Sequence, residues 1–108
     1  MSDMNKIVIK PFNVIDHIDL PLVEVDKDPE EGDPVEINEE MYYVCEKKYG
    51  QNDDLHKIGV IPLVVRNPAK VLNIKDYINC LSIANRRVQF TKDKEICDLD
   101  NCDEMIIS

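Results

Sequence analysis

Residues 73–86 of the 108-residue chain read NIKDYINCLSIANR, and their apolar side chains recur with the period of an α-helix. On a helical projection, five of these side chains fall within one sector of about 120°. The five are Ile74, Tyr77, Ile78, Leu81 and Ala84. Asn73 is a suitable N-cap residue, and Asp76 follows it at the spacing of a capping box. The stretch therefore predicts one amphipathic helix over residues 74–86.

Most of the remaining apolar residues form short runs that read as strands. We expect strands at residues 6–10, 22–25, 35–37, 41–45 and 58–65, and a closing hairpin at 88–97. Pro11 is expected to end the first strand because proline donates no backbone hydrogen bond. Pro62 implies an edge position, a bulge or two short strands meeting at an angle. These elements predict an α+β fold, with a mostly antiparallel sheet of about 5–7 short strands and one helix.

The clearest hairpin and the clearest loops lie in the middle of the chain. Val35–Ile37 alternates apolar and polar residues, Asn38 tolerates a positive φ, and residues 41–45 are aromatic or β-branched. Residues 26–34 hold two prolines, one glycine and five acids, so we expect a loop that buries nothing. Residues 48–56 predict a second polar loop.

Length and composition favour a single domain. Apolar residues make up 44% of the chain and charged residues 32%, which argues against wholesale disorder. No apolar run approaches the roughly 18 residues that a membrane span needs, and the N-terminus lacks a signal-peptide pattern. We therefore expect a soluble intracellular protein with reduced cysteines. The expected organisation is one domain over residues 1–97 followed by an acidic C-terminal tail over residues 98–108.

The charged residues divide the chain into three segments. Residues 1–56 hold 15 acids and 5 bases, residues 57–97 hold 3 acids and 8 bases, and residues 98–108 hold 4 acids and no base. The net charges of the segments are therefore −10, +5 and −4. Three arrangements remain open: pairing within one surface, pairing between molecules, or binding of phosphates by the basic segment in competition with the tail. Because the total of −9 repels nucleic acid at long range, we do not expect nucleic acid as a partner.

No catalytic, phosphate-binding or metal-ligating pattern stands out. The four cysteines, Cys45, Cys80, Cys97 and Cys102, do not form the two closely spaced pairs of a structural zinc site. The acidic C-terminus lacks the glycine and the twelfth position of a calcium loop. His17 and His56 lie in no recognisable nucleophile context, and three glycines form no phosphate loop. We therefore expect no enzymatic activity, no cofactor and no bound metal.

Two features are candidate contact surfaces for a partner. Ile83 lies among polar and basic residues on the far side of the helix, and three apolar residues follow the acids of the tail. The candidate partner-binding residues are Lys75, Asn79, Ser82, Ile83, Arg86, Arg87, Met105, Ile106 and Ile107. They predict a non-enzymatic protein–protein interaction or assembly module that binds a protein partner or itself.

The source and the competing interpretations follow from composition. The chain has 13 Ile, 9 Asn and 10 Lys, whose codons are rich in A and T, as in many phages and large DNA viruses. A small phage or viral accessory structural protein, in the host cytoplasm or the virion, fits this bias. The alternatives are an acidic inhibitor that imitates nucleic-acid phosphate and a small zinc-binding regulator.

Overall fold

The computed structural model describes residues 6–49 and 56–108. In this part of the chain, ten strands form two sheets, and there is one α-helix. The strands are β1 (Ile7–Asn13), β2 (Ile18–Asp19), β3 (Val23–Val25), β4 (Pro34–Ile37), β5 (Glu40–Tyr49), β6 (His56–Pro62), β7 (Val64–Arg66), β8 (Val88–Lys92), β9 (Glu95–Ile96) and β10 (Glu104–Ile107). The helix α1 spans Ile74–Ile83, and 3-10 turns lie at Pro68–Lys70 and Leu99–Asn101. The mostly antiparallel α+β class predicted from the sequence is confirmed. Within the same residues, no helix has the length and apolar character that crossing a bilayer requires.

The first sheet curls around its own apolar cluster. Its strand order is β2–β1–β6–β5–β4, and β3 pairs with the same edge of β1 as β2. In a flat sheet, β3 and β4 would be four strand spacings, or about 19 Å, apart. Instead, Val23 and Val25 of β3 pack against the cluster that contains Val35 and Ile37 of β4. Residues of β3 and β4 also line one groove, so the sheet is an open barrel whose two edges approach each other.

The second sheet and α1 cover one outer face of this barrel. The second sheet has the order β7–β10–β8–β9, with all neighbours antiparallel. Tyr43 and Ile61 of the first sheet share a buried cluster with Leu81 of α1 and Met105 of β10. The chain passes from the first sheet to the second at Leu63, between β6 and β7. Two short strands therefore meet after Pro62, which is one of the arrangements that the proline predicted.

Both predicted hairpins are present and turn in the same way. Asn38 and Glu39, between β4 and β5, have φ values of 51° and 68°. Asp93 and Lys94, between β8 and β9, have φ values of 52° and 69°. Two consecutive positive φ values define the type I′ turn, whose twist matches that of the flanking strands.

The prediction that Pro11 ends the first strand is wrong, because β1 continues through it to Asn13. The Pro11 carbonyl accepts a hydrogen bond from the Leu20 N–H at 3.0 Å, on the side away from β6. The nitrogen and the carbonyl of one strand residue point to the same side, so the missing N–H also faces away from β6. The ladder between β1 and β6 therefore loses no hydrogen bond.

The helix is three residues shorter than predicted, because it ends at Ile83. Asn85 has a φ of 66° and donates its N–H to the Ser82 carbonyl at 3.1 Å. The Arg86 N–H donates to the Leu81 carbonyl at 2.8 Å. These two bonds and the left-handed Asn85 constitute a Schellman motif, which terminates the helix.

The predicted capping box at the start of α1 is also wrong. Asn73 adopts a left-handed conformation with a φ of 62°, and among the described residues its side chain makes no capping hydrogen bond. Its backbone carbonyl instead accepts the N–H groups of Asp76 and Tyr77, at 3.0 and 3.3 Å.

The loop over residues 26–34 packs against the rest of the protein, contrary to the prediction that it buries nothing. Pro29 and Gly32 are buried, and Pro34 already belongs to β4. The second predicted loop, at 48–56, is shorter at both ends because β5 reaches Tyr49 and β6 begins at His56; the residues between them lie outside the described part of the chain.

The segment 98–108 is part of the second sheet and not a separate tail. Its strand β10 lies between β7 and β8, where both of its edges are paired. Met105 and Ile107 are 0% and 1% exposed. The expected division of the chain after residue 97 therefore has no counterpart in the fold.

Candidate protein-binding site

The structure places part of the predicted helix surface in solvent. Lys75, Asn79 and Ser82 are exposed, and Ile83 is 75% exposed on the same helix. These four residues are accessible to a partner, and their role in binding stays a prediction.

The two predicted arginines lie beyond the end of α1 and differ in exposure. The guanidinium carbon of Arg86 lies 5.0 Å from the centre of the Tyr43 ring, in cation–π geometry. Its Nε atom is buried and has no hydrogen-bond partner among the described residues. Arg86 is therefore half-buried, not part of the exposed helix face. Arg87 is exposed, and its backbone exchanges two hydrogen bonds of 2.9 Å with Ser108.

The three predicted C-terminal residues do not form one surface. Met105 and Ile107 lie in the core of this chain, so they are not available to a partner. Ile106 points to the opposite face of the second sheet, where it is 37% exposed beside its cross-strand neighbour Val64. The nine predicted residues are thus divided among the helix, the segment that follows it, the core and the outer face of the second sheet.

Burial raises the pKa of three cysteine thiols, those of Cys45, Cys80 and Cys102. Burial, followed by the nearby Glu46 carboxylate, raises the pKa of the Cys45 thiol far above its ordinary value. Burial and then a hydrogen bond to Glu31 raise the pKa of Cys80 to about 11. The Cys102 thiol donates to the Leu99 carbonyl at 3.2 Å. Thiolates are the nucleophilic and metal-binding form of cysteine, and Cys45 and Cys80 lie where that form is disfavoured.

The described polar residues form no cluster suited to a metal ion, and the cavity beside β1 and β6 is small. Across residues 6–49 and 56–108, no three His, Cys, Asp or Glu side chains are grouped so that they hold a metal ion. A cavity of 240 Å³ beside β1 and β6 is lined by two lysines and two acids, so its charges balance. Its volume is below the roughly 300 Å³ at which small-molecule pockets begin.

The most distinctive groove lies between the two edges of the barrel. It has a volume of 420 Å³ and is lined by β3, by the first three residues of β4 and by four residues of the loop between them. We call this groove the seam. The strands β3 and β4 follow each other in the chain and run antiparallel, yet in the described residues β3 pairs only with β1 and β4 only with β5.

The free backbone groups of β4 face the seam. Asp33, next to β4, accepts the Val44 N–H through its carbonyl at 3.0 Å, so the backbone of Asp33 faces β5. Backbone N–H and carbonyl groups point to alternate edges along a strand. Those of Val35 and Ile37 therefore also point toward β5, while those of Pro34 and Glu36 point away from it. Glu36 therefore presents both its N–H and its carbonyl to the seam.

The same reasoning applies to β3. The Pro11 carbonyl faces the edge of β1 that carries β2 and β3, so Ile9 and Ile7 face that edge as well. They are opposite Val23 and Val25, which places the hydrogen-bonded pairs of this ladder at those positions. Glu24 lies between them, and its N–H and carbonyl point away from β1. Each side of the seam thus offers one unpaired glutamate backbone.

The loop over residues 26–33 closes one end of the seam and is tied to its neighbours. Asp28 forms an ion pair of 3.0 Å with Lys47 on β5. The Gly32 N–H donates to the Val44 carbonyl at 2.7 Å. The Cys80 thiol of α1 lies 2.8 Å from the Glu31 carboxylate. The loop that joins β3 to β4 is therefore anchored to β5 and α1.

The net negative charge of the protein comes from the part of the chain that contains the seam. Residues 1–62, which include the first sheet, hold 15 acids and 6 bases. Residues 63–108, which include α1 and the second sheet, hold 7 of each. The fold combines the basic segment 57–97 with the acidic segment 98–108, so their charges largely cancel. The whole net charge of −9 is therefore associated with residues 1–62.

The seam was not identified from the sequence, although a signal for it exists. The residues Val23–Val25 and Val35–Ile37 both alternate a β-branched residue with glutamate, so each is a strand with an apolar inner face and an acidic outer face. Such a pair predicts an ordinary hairpin. In the structure the two strands instead pair with β1 and β5, and the loop between them contacts β5 and α1.

Comparisons with known proteins identify no relative: no family model, no curated protein and no solved structure matches the chain.

Proposed function

We propose that the protein is a non-enzymatic protein–protein interaction module, which binds an extended segment of a partner as an additional strand in the seam. The observation that supports this proposal is that β3 and β4, although consecutive and antiparallel, line one groove without pairing with each other. An extended peptide in this groove would lie beside the free backbone groups of Glu24 and Glu36. Addition of a strand to an open sheet edge is a common mode of peptide recognition.

The unpaired edges of β3 and β4 also carry residues that limit which strands can pair with them. Exposed strand edges promote unwanted pairing, and proteins protect them with charged residues, prolines or bulges. Here Glu24 and Glu36 are exposed, and Pro34 begins β4. These residues discourage indiscriminate pairing and leave a seam that selects its occupant. A role in a phage or viral particle remains a prediction from codon composition.

The acidic inhibitor that imitates nucleic-acid phosphate is the second candidate function. It is favoured by the association of the whole net charge with residues 1–62. An inhibitor of this kind binds a basic groove through its carboxylates, in competition with DNA, and does not need the backbone of an extended peptide. The two functions therefore differ in their dependence on main-chain hydrogen bonds.

Amide hydrogen exchange tests the proposed function directly. The probe is an eight-residue peptide with blocked ends that alternates valine with threonine, and the readout is exchange at the Glu24 and Glu36 amides by NMR. The matched control peptide has the same side chains but carries an N-methyl group on every residue, which blocks both of its edges and removes its ability to pair as a strand. We expect the first peptide to slow exchange at both glutamates and the second to leave it unchanged.

The amide of Ile96 is an internal control for nonspecific pairing of the peptide with any free strand edge. The Cys97 N–H donates to the Phe90 carbonyl of β8, so the Ile96 amide of the edge strand β9 faces away from β8. Its exchange should not change when the peptide is added. Equal protection at Ile96, or no protection at Glu24 and Glu36 by any peptide, charged or neutral, would contradict the proposed function.

A further inference from the structure

We infer that the segment bound in the seam alternates apolar residues with lysine or arginine, its apolar side chains pointing into the barrel and its basic side chains pointing out beside Glu24 and Glu36. This inference rests on the proposed function and names the chemistry of the partner. The partner is a protein other than a second copy of this chain.

The inner face of the seam requires apolar side chains at every second position. Val35 is 5% exposed inside the barrel, and Val23 and Val25 are half-buried on the opposite side. An inserted strand places alternate side chains between these valines, in contact with the apolar cluster. A polar residue there would be buried without a partner, so β-branched or other apolar residues are required.

The outer face of the seam requires basic side chains at the intervening positions. Glu24 and Glu36 are exposed on the two flanking strands, and side chains directly opposite on neighbouring strands have Cβ atoms about 5 Å apart. An outward lysine or arginine would therefore lie between two carboxylates. An outward acid would meet like charges on both sides, which is destabilising.

The charges at the closed end of the seam are mostly negative, like those of Glu24 and Glu36. The loop contributes Asp26 and Asp33 to the lining, with Lys27 as the one base among the residues that line the groove. The net charge of residues 1–62 also attracts a basic segment over distances longer than a contact. Local pairing and long-range attraction thus favour the same occupant.

In a second copy of the chain, the edge strands of the second sheet that the structure describes do not present such a segment. The described edge strands of the second sheet are β7, which reads Val64–Arg66 and has one base, and β9, which contains Glu95. The half of the molecule that carries these strands has no net charge to oppose the acidic half. Pairing between the two halves of neighbouring copies, which the charge pattern of the sequence left open, therefore lacks electrostatic complementarity.

A set of three peptides tests the inference. Each peptide has eight residues and alternates valine with lysine, threonine or glutamate, and its affinity for the full-length protein is measured by calorimetry at about 50 mM and about 500 mM salt. We expect the lysine peptide to bind about tenfold more tightly than the threonine peptide at low salt, and the glutamate peptide to bind least. High salt should reduce the differences.

Charge reversal within the seam provides the matched variant. The double variant Glu24→Lys/Glu36→Lys should reverse the order of the three peptides, so that the glutamate peptide binds most tightly. Glu95→Lys makes the same change on an exposed strand of the second sheet and should leave the order intact. A reversal by Glu95→Lys, or its absence in the double variant, would overturn the assignment of the charge selection to the seam.

The outcomes separate this inference from the proposed function. If all three peptides protect the Glu24 and Glu36 amides with equal affinity, the seam binds strands but the basic chemistry is wrong. If none binds, the proposed function itself fails. Light scattering of the free protein supplies the third outcome: a dimer that dissociates on Glu24→Lys/Glu36→Lys substitution would mean that a second copy occupies the seam, and would overturn the inference.

Discussion

The Nζ atom of Lys47 on β5 lies 3.0 Å from Oδ2 of Asp28 in the loop between β3 and β4. The two side chains are 10% and 25% exposed, so this ion pair is shielded from water much more than a typical surface pair. Glu30 lies 3.9 Å from the same nitrogen. Lys47 therefore anchors the acidic loop to the barrel wall at the closed end of the seam.

Replacement of Lys47 should measurably weaken the fold. Lys47→Met retains much of the aliphatic stem but removes the ammonium group that forms the 3.0 Å ion pair with Asp28. We expect the free energy of unfolding to fall by about 1–3 kcal/mol, because a shielded charge loses its counter-charge. The measurement is urea denaturation followed by circular dichroism. Lys27→Met, at an exposed position of the same loop, should change the stability by less than about 0.5 kcal/mol. Equal losses in the two variants would show that the ion pair does not anchor the loop.

Gly32 is the second anchor of the loop, and its substitution should be costly for two separable reasons. Its φ of 92° is unfavourable for any residue with a side chain, and an added Cβ would overlap the Cβ of Ala84 after α1. We expect Gly32→Ala to lower the free energy of unfolding by about 1–3 kcal/mol. The measurement is a thermodynamic cycle with Ala84→Gly by urea denaturation.

The thermodynamic cycle separates the loss of stability caused by overlap with Ala84 from the loss caused by the positive φ of residue 32. Ala84→Gly removes the side chain that Gly32→Ala would strike, so the double variant should recover part of the loss but not the part due to φ. Strictly additive losses would indicate that the loop moves away from Ala84 and that the close approach does not hold the seam open.

The elements that the sequence predicted correctly are those fixed by local interactions. The two type I′ turns depend on residues that accept positive φ values, such as Asn38 and Asp93, and the helix depends on its own apolar period. The end of the helix also had a local signal, because Asn85 is a residue that readily adopts the left-handed conformation of a C-terminal cap. It was missed because the apolar and basic pattern continues to Arg86.

The elements that the sequence did not predict depend on contacts between distant segments. Whether Pro11 interrupts a strand depends on which side of β1 carries a partner that needs its N–H. Whether the C-terminal residues form a tail or a central strand depends on the apolar clusters available to Met105 and Ile107. The seam is the strongest example, because it lies between two consecutive strands whose connecting loop contacts β5 and α1 instead of forming a tight turn.

The core side of α1 is expected to be far more sensitive to charge than its outer side. Leu81 is 0% exposed, whereas Ile83, two residues later, is 75% exposed. Leu81→Lys should unfold the protein or lower the free energy of unfolding by more than about 4 kcal/mol, because it buries a charge without a partner. Ile83→Lys should change the stability by less than about 0.5 kcal/mol. Thermal melts compare the two variants, and a loss of similar size at Ile83 would place that residue in the core.

The contact between Cys80 and Glu31 makes the stability of the protein sensitive to alkaline pH. The folded protein raises the pKa of Cys80 from 9.0 to about 11, through burial first and the Glu31 carboxylate second. A thiol with a raised pKa binds its proton more tightly in the folded state than in the unfolded state. Its contribution to stability is therefore complete below about pH 9 and is lost as the pH rises toward 11.

Cys80→Ser isolates this contribution, because a serine hydroxyl can still donate to Glu31 but does not titrate in this range. With a reductant present, the melting temperature of the unsubstituted protein should fall more steeply between pH 8 and pH 11 than that of Cys80→Ser. Cys97→Ser removes a thiol that does not contact Glu31 and should retain the steeper fall. The Cys45 thiol remains in both variants, and because its pKa is raised first by burial, most of its contribution is common to the curves. If Cys80→Ser follows the unsubstituted protein throughout, the thiol does not hold its proton against Glu31, and the loop lacks its third anchor.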